Sequence, residues 1–166
     1  MFEQPWHVLK VKSRCERKVE SRLKEKGFQA IAPVQTQFRR WSDRLKKVEV
    51  VLFTGYVFVS GEPTVIKPAF QEEGHVLGFL QFEKKPVVLR EPDVRFIKSL
   101  AKIETPVTIL PACPTPGERI EIIAGPLRGY TGVVAAHAGS RRVRISIPSL
   151  QCVAQVEIGA EVIRRI

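Results

Sequence analysis

The chain has 166 residues, of which 44% are hydrophobic and 27% are charged, and its formal net charge is +10. This composition is typical of a globular protein with one or two small domains. No apolar stretch reaches the ~18 residues of a membrane-spanning helix, and residues 1–6 lack the basic and apolar segments of a secretory signal, so we expect a cytoplasmic protein.

The first predicted elements are a strand and a helix. Residues 6–12 alternate apolar and other side chains, which predicts a strand. Residues 13–16, Ser-Arg-Cys-Glu, match a capping box, so we expect a helix over about residues 14–26 that ends at Gly27. Its predicted buried stripe recurs at every fourth position and consists of Cys15, Val19 and Leu23.

A second row on the same helix is basic and consists of Arg14, Lys18, Arg22 and Lys26. Like charges at this spacing repel each other by roughly 0.2–0.5 kcal/mol per pair. A facing row of phosphates would relieve the repulsion, and solvation of the row is the alternative. The region 10–47 holds 13 Lys and Arg residues against four acidic residues, a net charge of +9. This concentration predicts a nucleic-acid-binding face.

Two strands with a basic connection follow the helix. Residues 28–38 and the run from Lys46 onward are typical of strands, and Ser-Asp at 42–43 favours a turn between them. The segment 39–47 carries five Lys and Arg residues. Arg39, Arg40 and Trp41 are therefore candidates for binding an unpaired base and its phosphates. The alternative is a tryptophan that folds back onto its own hairpin.

The longest apolar run, VEVVLFTGYVFV over residues 48–59, predicts a strand buried on both faces. Side chains alternate along a strand, so Phe53 and Val57 share one face while Tyr56 and Phe58 share the other. Two interpretations of the second face stay open. Either a helix covers it and Tyr56 finds a hydrogen-bond partner at the core edge, or it is an open aromatic groove for a partner helix.

The next elements complete an α+β pattern. Residues 64–71 fit a short helix that Pro68 should kink, and residues 76–82 fit a strand. A last helix is expected to begin near Pro92 and to bury Phe96, Ile97, Leu100 and Ala101. The order β-α-β-β-α-β with antiparallel neighbours predicts an α+β fold, a ferredoxin-like sandwich, for residues 1–103.

The last third of the chain has a different composition. Residues 104–116 contain four prolines and are predicted to be a semi-rigid linker. Residues 117–166 contain short β-branched runs separated by turns, which is typical of a five-stranded SH3-like β-barrel. Their glycines and prolines oppose a helical hairpin, since they cost a helix interior about 1 and 3 kcal/mol each. Ile147 and Leu150 are predicted to form an exposed partner-binding edge, with a plain turn as the alternative.

The sequence contains no recognisable catalytic or metal-binding motif. The cysteines are far apart and lack C-x-x-C spacing, and the histidines are isolated. We therefore predict a binding protein without a cofactor, and not an enzyme.

Two motifs resemble the NusG family of transcription elongation factors. Residues 52–59, LFTGYVFV, are similar to the family's central strand signature, in which proline usually stands where this chain has Thr54. Residues 117–134 follow the pattern of the family's KOW box. The resemblance implies an N-terminal NGN domain over residues 1–103, joined by the linker 104–116 to a KOW domain over residues 117–166.

The resemblance also implies a function in transcription. NusG proteins bind the clamp helices of the RNA polymerase β′ subunit through the NGN domain, suppress pausing or termination, and recruit other factors through the KOW domain. On matching positions, Tyr56 and Phe58 would form the floor of the clamp-helix groove, and Phe53 would support it. Lys12, Lys18 and Arg22 would face upstream or non-template DNA. For the KOW domain three alternatives stay open, namely binding to Rho, binding to a small-subunit ribosomal protein, and binding to neither.

Length and basic charge favour the specialised members that resemble RfaH or the UpxY proteins. The segment 67–69, Lys-Pro-Ala, departs from the polar residues that such proteins place against the polymerase β gate loop. We expect a monomer that associates with the nucleoid through RNA polymerase. The alternative function is a ribosome-associated or RNA-binding KOW protein, because KOW boxes also occur in ribosomal proteins.

Overall fold

The computed structural model of the protein describes residues 4–71, 73–112, 117–135 and 141–166. The chain divides into two compact units. Unit 1 comprises Met1–Pro33 and Phe53–Val94, and unit 2 comprises Val34–Leu52 and Arg95–Ile166. Each unit therefore combines two separate stretches of the chain.

In the described residues up to 100, three helices lie among eight strands, and the later elements are almost entirely strands. The helices are α1 (Glu16–Glu25), α2 (Pro63–Phe70) and α3 (Glu91–Leu100). The strands up to residue 100 are β1 (Trp6–Val11), β2 (Gln29–Ile31), β3 (Val34–Trp41), β4 (Arg44–Val51), β5 (Tyr56–Ser60), β6 (Val76–Phe79), β7 (Gln81–Phe82) and β8 (Lys85–Pro86). The later strands are β9 (Val107–Pro111), β10 (Arg119–Ile122), β11 (Thr131–Ala135), β12 (Arg142–Ile147), β13 (Cys152–Glu157) and β14 (Ile163–Arg165).

Unit 1 contains a four-stranded antiparallel sheet in the order β2-β5-β1-β6. This order is that of the predicted ferredoxin-like sandwich, in which the first and third strands lie in the middle. One core cluster joins Leu9 and Val57 of the sheet to Val19 of α1 and Ile66 of α2. Both helices therefore pack on the same face of the sheet, and the α+β prediction is confirmed.

The N-terminal end of α1 differs from the prediction. The expected capping box does not form, because Cys15 is the N-cap residue and its side chain makes no capping hydrogen bond. Glu16 is 2% exposed, and its Oε1 accepts a hydrogen bond of 2.9 Å from the backbone N–H of Gly55. The C-terminal end is as predicted, since Gly27 adopts φ +90° just after the helix.

The predicted single strand over residues 48–59 is wrong, because a turn divides it into β4 and β5. The N–H of Tyr56 donates to the carbonyl of Phe53 at 3.1 Å, and Gly55, the third residue of the turn, has φ +83°. These are the features of a type II β-turn, which needs glycine at its third position and favours proline at its second. Thr54 occupies that second position and is exposed.

Both peptide groups of Gly55 are tied to other elements. Its N–H donates to Glu16, and its carbonyl accepts a hydrogen bond of 2.8 Å from the N–H of Val11. The turn is thus fixed to the end of β1 and to the beginning of α1, and it sets where β5 begins.

Unit 2 contains a six-stranded antiparallel sheet in the order β14-β10-β11-β12-β13-β9. Five of these strands lie within 117–166 as predicted. The sixth, β9, pairs with β13 from Val107 to Pro111, so the interpretation of residues 104–116 as a linker is wrong for this part. Residues 113–116 lie outside the described residues. Strands β3 and β4 form a separate two-stranded hairpin in the same unit.

Two smaller expectations are also corrected. The predicted strand over residues 76–82 is divided between β6 and β7. Ala101 is exposed, whereas the other three predicted residues of α3 are buried, namely Phe96, Ile97 and Leu100.

The buried side chain of Glu16 leads to a prediction about the free energy of unfolding. Glu16→Ala should lower the free energy of unfolding by roughly 1–3 kcal/mol, because it leaves the Gly55 N–H without its acceptor. Urea denaturation measures the change. Glu25→Ala, at an exposed position of the same helix, is the matched control and should stay within about 0.5 kcal/mol of the parent. Equal effects of the two substitutions would contradict the assigned role of Glu16.

The type II turn leads to a second prediction about the free energy of unfolding. Thr54→Pro should raise the free energy of unfolding by about 0.4–1 kcal/mol, because proline restricts the unfolded chain and suits the second position of this turn. Gly55→Ala should have the opposite sign, since φ +83° strains a residue with a Cβ atom. Thermal unfolding of the two variants checks both signs, and a destabilising proline would argue against the turn type.

Candidate functional site

The first candidate surface is the face of the unit 1 sheet opposite the α1 and α2 side. Residues paired across antiparallel strands point to the same face, and Val8 pairs with Phe58 while Lys10 pairs with Tyr56. Val8 and Phe58 are 0% and 1% exposed. Tyr56 is half-buried and Lys10 is exposed. The face is therefore closed at one end and accessible at the other.

The three predicted aromatic residues differ in accessibility. Phe53 and Phe58 are both buried and meet edge to face, with ring centroids 5.2 Å apart. The expectation of an exposed Phe58 in an open groove is wrong for this structure, because its ring is part of the packed interior. Tyr56 is the member of the set that solvent reaches. The two phenylalanines instead provide a rigid support near the Tyr56 backbone.

The basic row of α1 has partners within its own chain. Lys18 Nζ lies 3.2 Å from His75 Nε2, and Arg22 forms an ion pair with Glu73. Lys26 Nζ lies 3.9 Å from the same carboxylate. The Glu73 carboxylate, in the loop between α2 and β6, therefore relieves part of the repulsion within this row.

The other two basic residues at this end are more open. Lys12 and Arg14 are exposed, and Arg14 has φ +69° in the turn that leads into α1. Neither side chain has an ion-pair partner within the part of the chain that the structure describes.

The β3-β4 hairpin is the second candidate surface. Trp41 pairs with Arg44 across the two-residue turn and is 58% exposed. Lys46 Nζ lies 5.3 Å from the centroid of its ring, so a cation covers part of the indole without burying it. Arg39 and Arg40 are also exposed. The predicted residues Arg39, Arg40 and Trp41 are consecutive at the end of β3, next to the turn.

Cross-strand pairing shows that the hairpin has two different faces. Arg39, Trp41, Arg44 and Lys46 share one face, which combines three cations with an indole. The opposite face combines two cations with two large apolar side chains that sequence reasoning did not single out. These are Phe38 and Leu45, 70% and 69% exposed. Their separation from Trp41 follows from the alternation of side chains once the turn position is known.

The predicted partner-binding edge of the C-terminal segment is not exposed. Ile147, the last residue of β12, is 0% exposed, and Leu150 is 6% exposed. Residues Pro148–Leu150 form a short 3-10 helix that turns the chain into β13. The prediction of an exposed edge is wrong, because both apolar side chains pack inward.

Electrostatic and metal-binding features do not define a further site. The hydrogen bond from Arg90 to Asp93, together with the charge of that carboxylate, raises the pKa of the Arg90 guanidinium, which lies at the start of α3. Within the described ranges, no cluster of three His, Cys, Asp or Glu side chains is arranged to hold a metal ion. No helix in those ranges is long and apolar enough to cross a membrane.

Comparison with known proteins identifies the family. A family model described as "Transcription termination factor nusG" matches residues 4–98. The solved structure "Domain interaction in Thermotoga maritima NusG" is 21% identical, with a TM-score of 0.59 over 100% of this chain and 98% of that chain. A structure of the MjSpt4:Spt5 complex is 14% identical, with a TM-score of 0.34 over 97% of this chain and 96% of that chain. The Thermotoga maritima structure supports the fold, and the family model covers more than half of the sequence. The chain belongs to the NusG family of transcription factors.

Proposed function

We propose that this protein is a transcription elongation and antitermination factor whose N-terminal domain binds the clamp helices of the RNA polymerase β′ subunit. The observation that carries the proposal is Tyr56, an accessible aromatic residue at the start of β5 within the family's signature segment. Tyrosine suits such a contact, because it offers a large apolar ring and a polar hydroxyl at small entropic cost. Binding there holds the factor on polymerase and suppresses pausing or termination.

Phe53 and Phe58 act in this proposal as the support of Tyr56. Phe53 is the first residue of the turn that ends at Tyr56, and Phe58 lies two residues after the turn on β5. The edge-to-face contact of their rings joins these two positions. A rigid support favours binding, since less conformational entropy is lost when the partner docks.

The difference in burial separates the two aromatic roles in a test. Tyr56→Ala should weaken binding to RNA polymerase by ~2 kcal/mol, the cost of truncating a central aromatic anchor, with little change in thermal stability. Phe58→Ala should instead lower the free energy of unfolding by roughly 3–5 kcal/mol, because its ring is buried. Affinity of the purified full-length variants for core polymerase and their thermal unfolding are measured in parallel. Unchanged affinity of the folded Tyr56→Ala protein would overturn the proposed contact.

We propose that the hairpin tip contacts the non-template or upstream DNA exposed on the elongation complex. Trp41 offers a ring for stacking on an unpaired base. Arg39 on the same face of the hairpin and Arg40 on the opposite face offer cations for phosphates of the strand. Lys12 and Arg14 are open to the same role. Lys18 and Arg22 contribute less in this proposal, because His75 and Glu73 already engage them and a nearby carboxylate repels phosphate.

Charge reversal distinguishes the two basic surfaces. Arg39→Glu with Arg40→Glu should flatten the salt dependence of DNA binding by roughly 0.7–0.9 in log–log slope for each phosphate that the protein no longer neutralises. Lys18→Glu with Arg22→Glu changes the net charge equally and should have a smaller effect. Trp41→Ala should cost about 1–3 kcal/mol on a single strand. The measurement is binding to elongation complexes across a salt series, and equal slopes for the two double variants would contradict the preference for the hairpin.

We propose that the C-terminal domain, predicted over residues 117–166, recruits a second factor such as Rho or a small-subunit ribosomal protein. Ile147 and Leu150 can take part only if the short 3-10 helix rearranges. Purification of the tagged protein from cell extract separates this proposal from its alternative, because a polymerase factor brings polymerase subunits and a ribosome-associated KOW protein brings ribosomal subunits. Membership of the RfaH or UpxY subgroup stays a prediction.

A further inference from the structure

Lys10 occupies an unusual position in the unit 1 sheet. It lies on β1, one of the two middle strands, between β5 and β6. Among the six residues of β1, all of which the structure describes, Lys10 is the exposed one. A lysine in the middle of a sheet that stays in solvent marks a place where the protein does not cover its own sheet.

The neighbours of Lys10 on the two adjoining strands define this open place. Tyr56 is its partner on β5 and Gly78 is its partner on β6. A Cβ atom built at Gly78 would meet nothing within 4 Å. The sheet therefore offers a tyrosine ring, an ammonium group and a gap without a side chain in a row across three strands.

The charge of Lys10 is uncompensated in this row. Its ammonium group has no ion-pair partner within the described residues. Directly opposed residues in antiparallel strands have Cβ atoms only about 5 Å apart, so a partner that covers Tyr56 also desolvates Lys10. Burial of an unpaired ammonium group is strongly unfavourable, and an opposite charge with good hydrogen bonding can compensate for it.

We infer that Lys10 is a specificity-determining residue of the polymerase contact, and that it selects a clamp helix with a carboxylate facing it. The inference rests on the proposed binding of Tyr56 to polymerase. The carboxylate pairs with Lys10 while the apolar side of the same helix packs on Tyr56. The gap at Gly78 lets the helix approach the sheet closely.

Two substitutions of Lys10 test the charge separately from its aliphatic chain. Lys10→Glu should weaken binding of the full-length protein to core RNA polymerase at least about tenfold, because like charges opposed in an interface repel each other. Lys10→Met keeps most of the length of the side chain without its charge and should weaken binding less, while reducing its dependence on salt. Lys84→Glu, at an exposed turn position of the same unit, is the matched control and should bind as the parent does. Thermal unfolding verifies that the variants are folded.

A charge exchange completes the test. Acidic residues of the clamp helices are replaced by lysine one at a time, and one replacement should restore binding of the Lys10→Glu protein. If the parent binds and Tyr56→Ala weakens binding while Lys10→Glu binds as the parent does, this inference fails and the proposed function stands. If the parent does not bind polymerase, both fail. A loss of DNA binding without a loss of polymerase binding in Lys10→Glu would also overturn the inference, because the ammonium group would then serve a phosphate.

Discussion

The hydrogen bond between the Glu16 carboxylate and the Gly55 N–H is the constraint on which the candidate polymerase surface depends. A carboxylate that is 2% exposed is stable only where hydrogen bonds replace its hydration. The bond joins the first residue of α1 to the turn that precedes β5. Since the Gly55 carbonyl is also bonded to Val11, the turn has one position relative to β1. Tyr56 follows immediately, so the same contacts help to set its backbone position opposite Lys10.

This arrangement explains why the aromatic segment 53–58 contributes both buried side chains and a partly exposed one. Alternation along β5 directs Val57 toward α1 and α2, and Phe58 toward the other face of the sheet. Phe58 is nevertheless buried, whereas Tyr56 at the end of the strand is partly exposed. Position along the strand therefore decides accessibility as much as the face does. The proposed binding at this surface would rely on few accessible groups, which would give the charge of Lys10 a large share in the choice of partner.

The elements with a local cause could be predicted from sequence, and those that depend on distant contacts could not. The order of strands and helices and the end of α1 at Gly27 follow from periodicity and backbone preference. The predicted capping box does not form, because the Glu16 side chain instead accepts a hydrogen bond from Gly55, 39 residues away along the chain. Strand β9 was missed because Pro106 just before it and Pro111 at its end suggested a linker, whereas pairing with the distant β13 stabilises it as a strand. The division at Gly55 had a local signal, namely the threonine-glycine pair at the positions where a type II turn favours proline and glycine.

The two basic surfaces, the row on α1 and the β3-β4 hairpin, differ in how many of their cations are paired among the described residues. The basic row on α1 was predicted to face phosphates, with solvation as the alternative, yet Glu73 and His75 engage three of its four residues. A net charge counts all of these residues equally. A guanidinium group that is already paired with a carboxylate attracts a phosphate less strongly than an unpaired one does. The hairpin differs, because three of its cations share a face with an exposed indole. Local pairing, which the sequence does not reveal, therefore separates a basic helix that stabilises its own unit from a basic hairpin suited to an external polyanion.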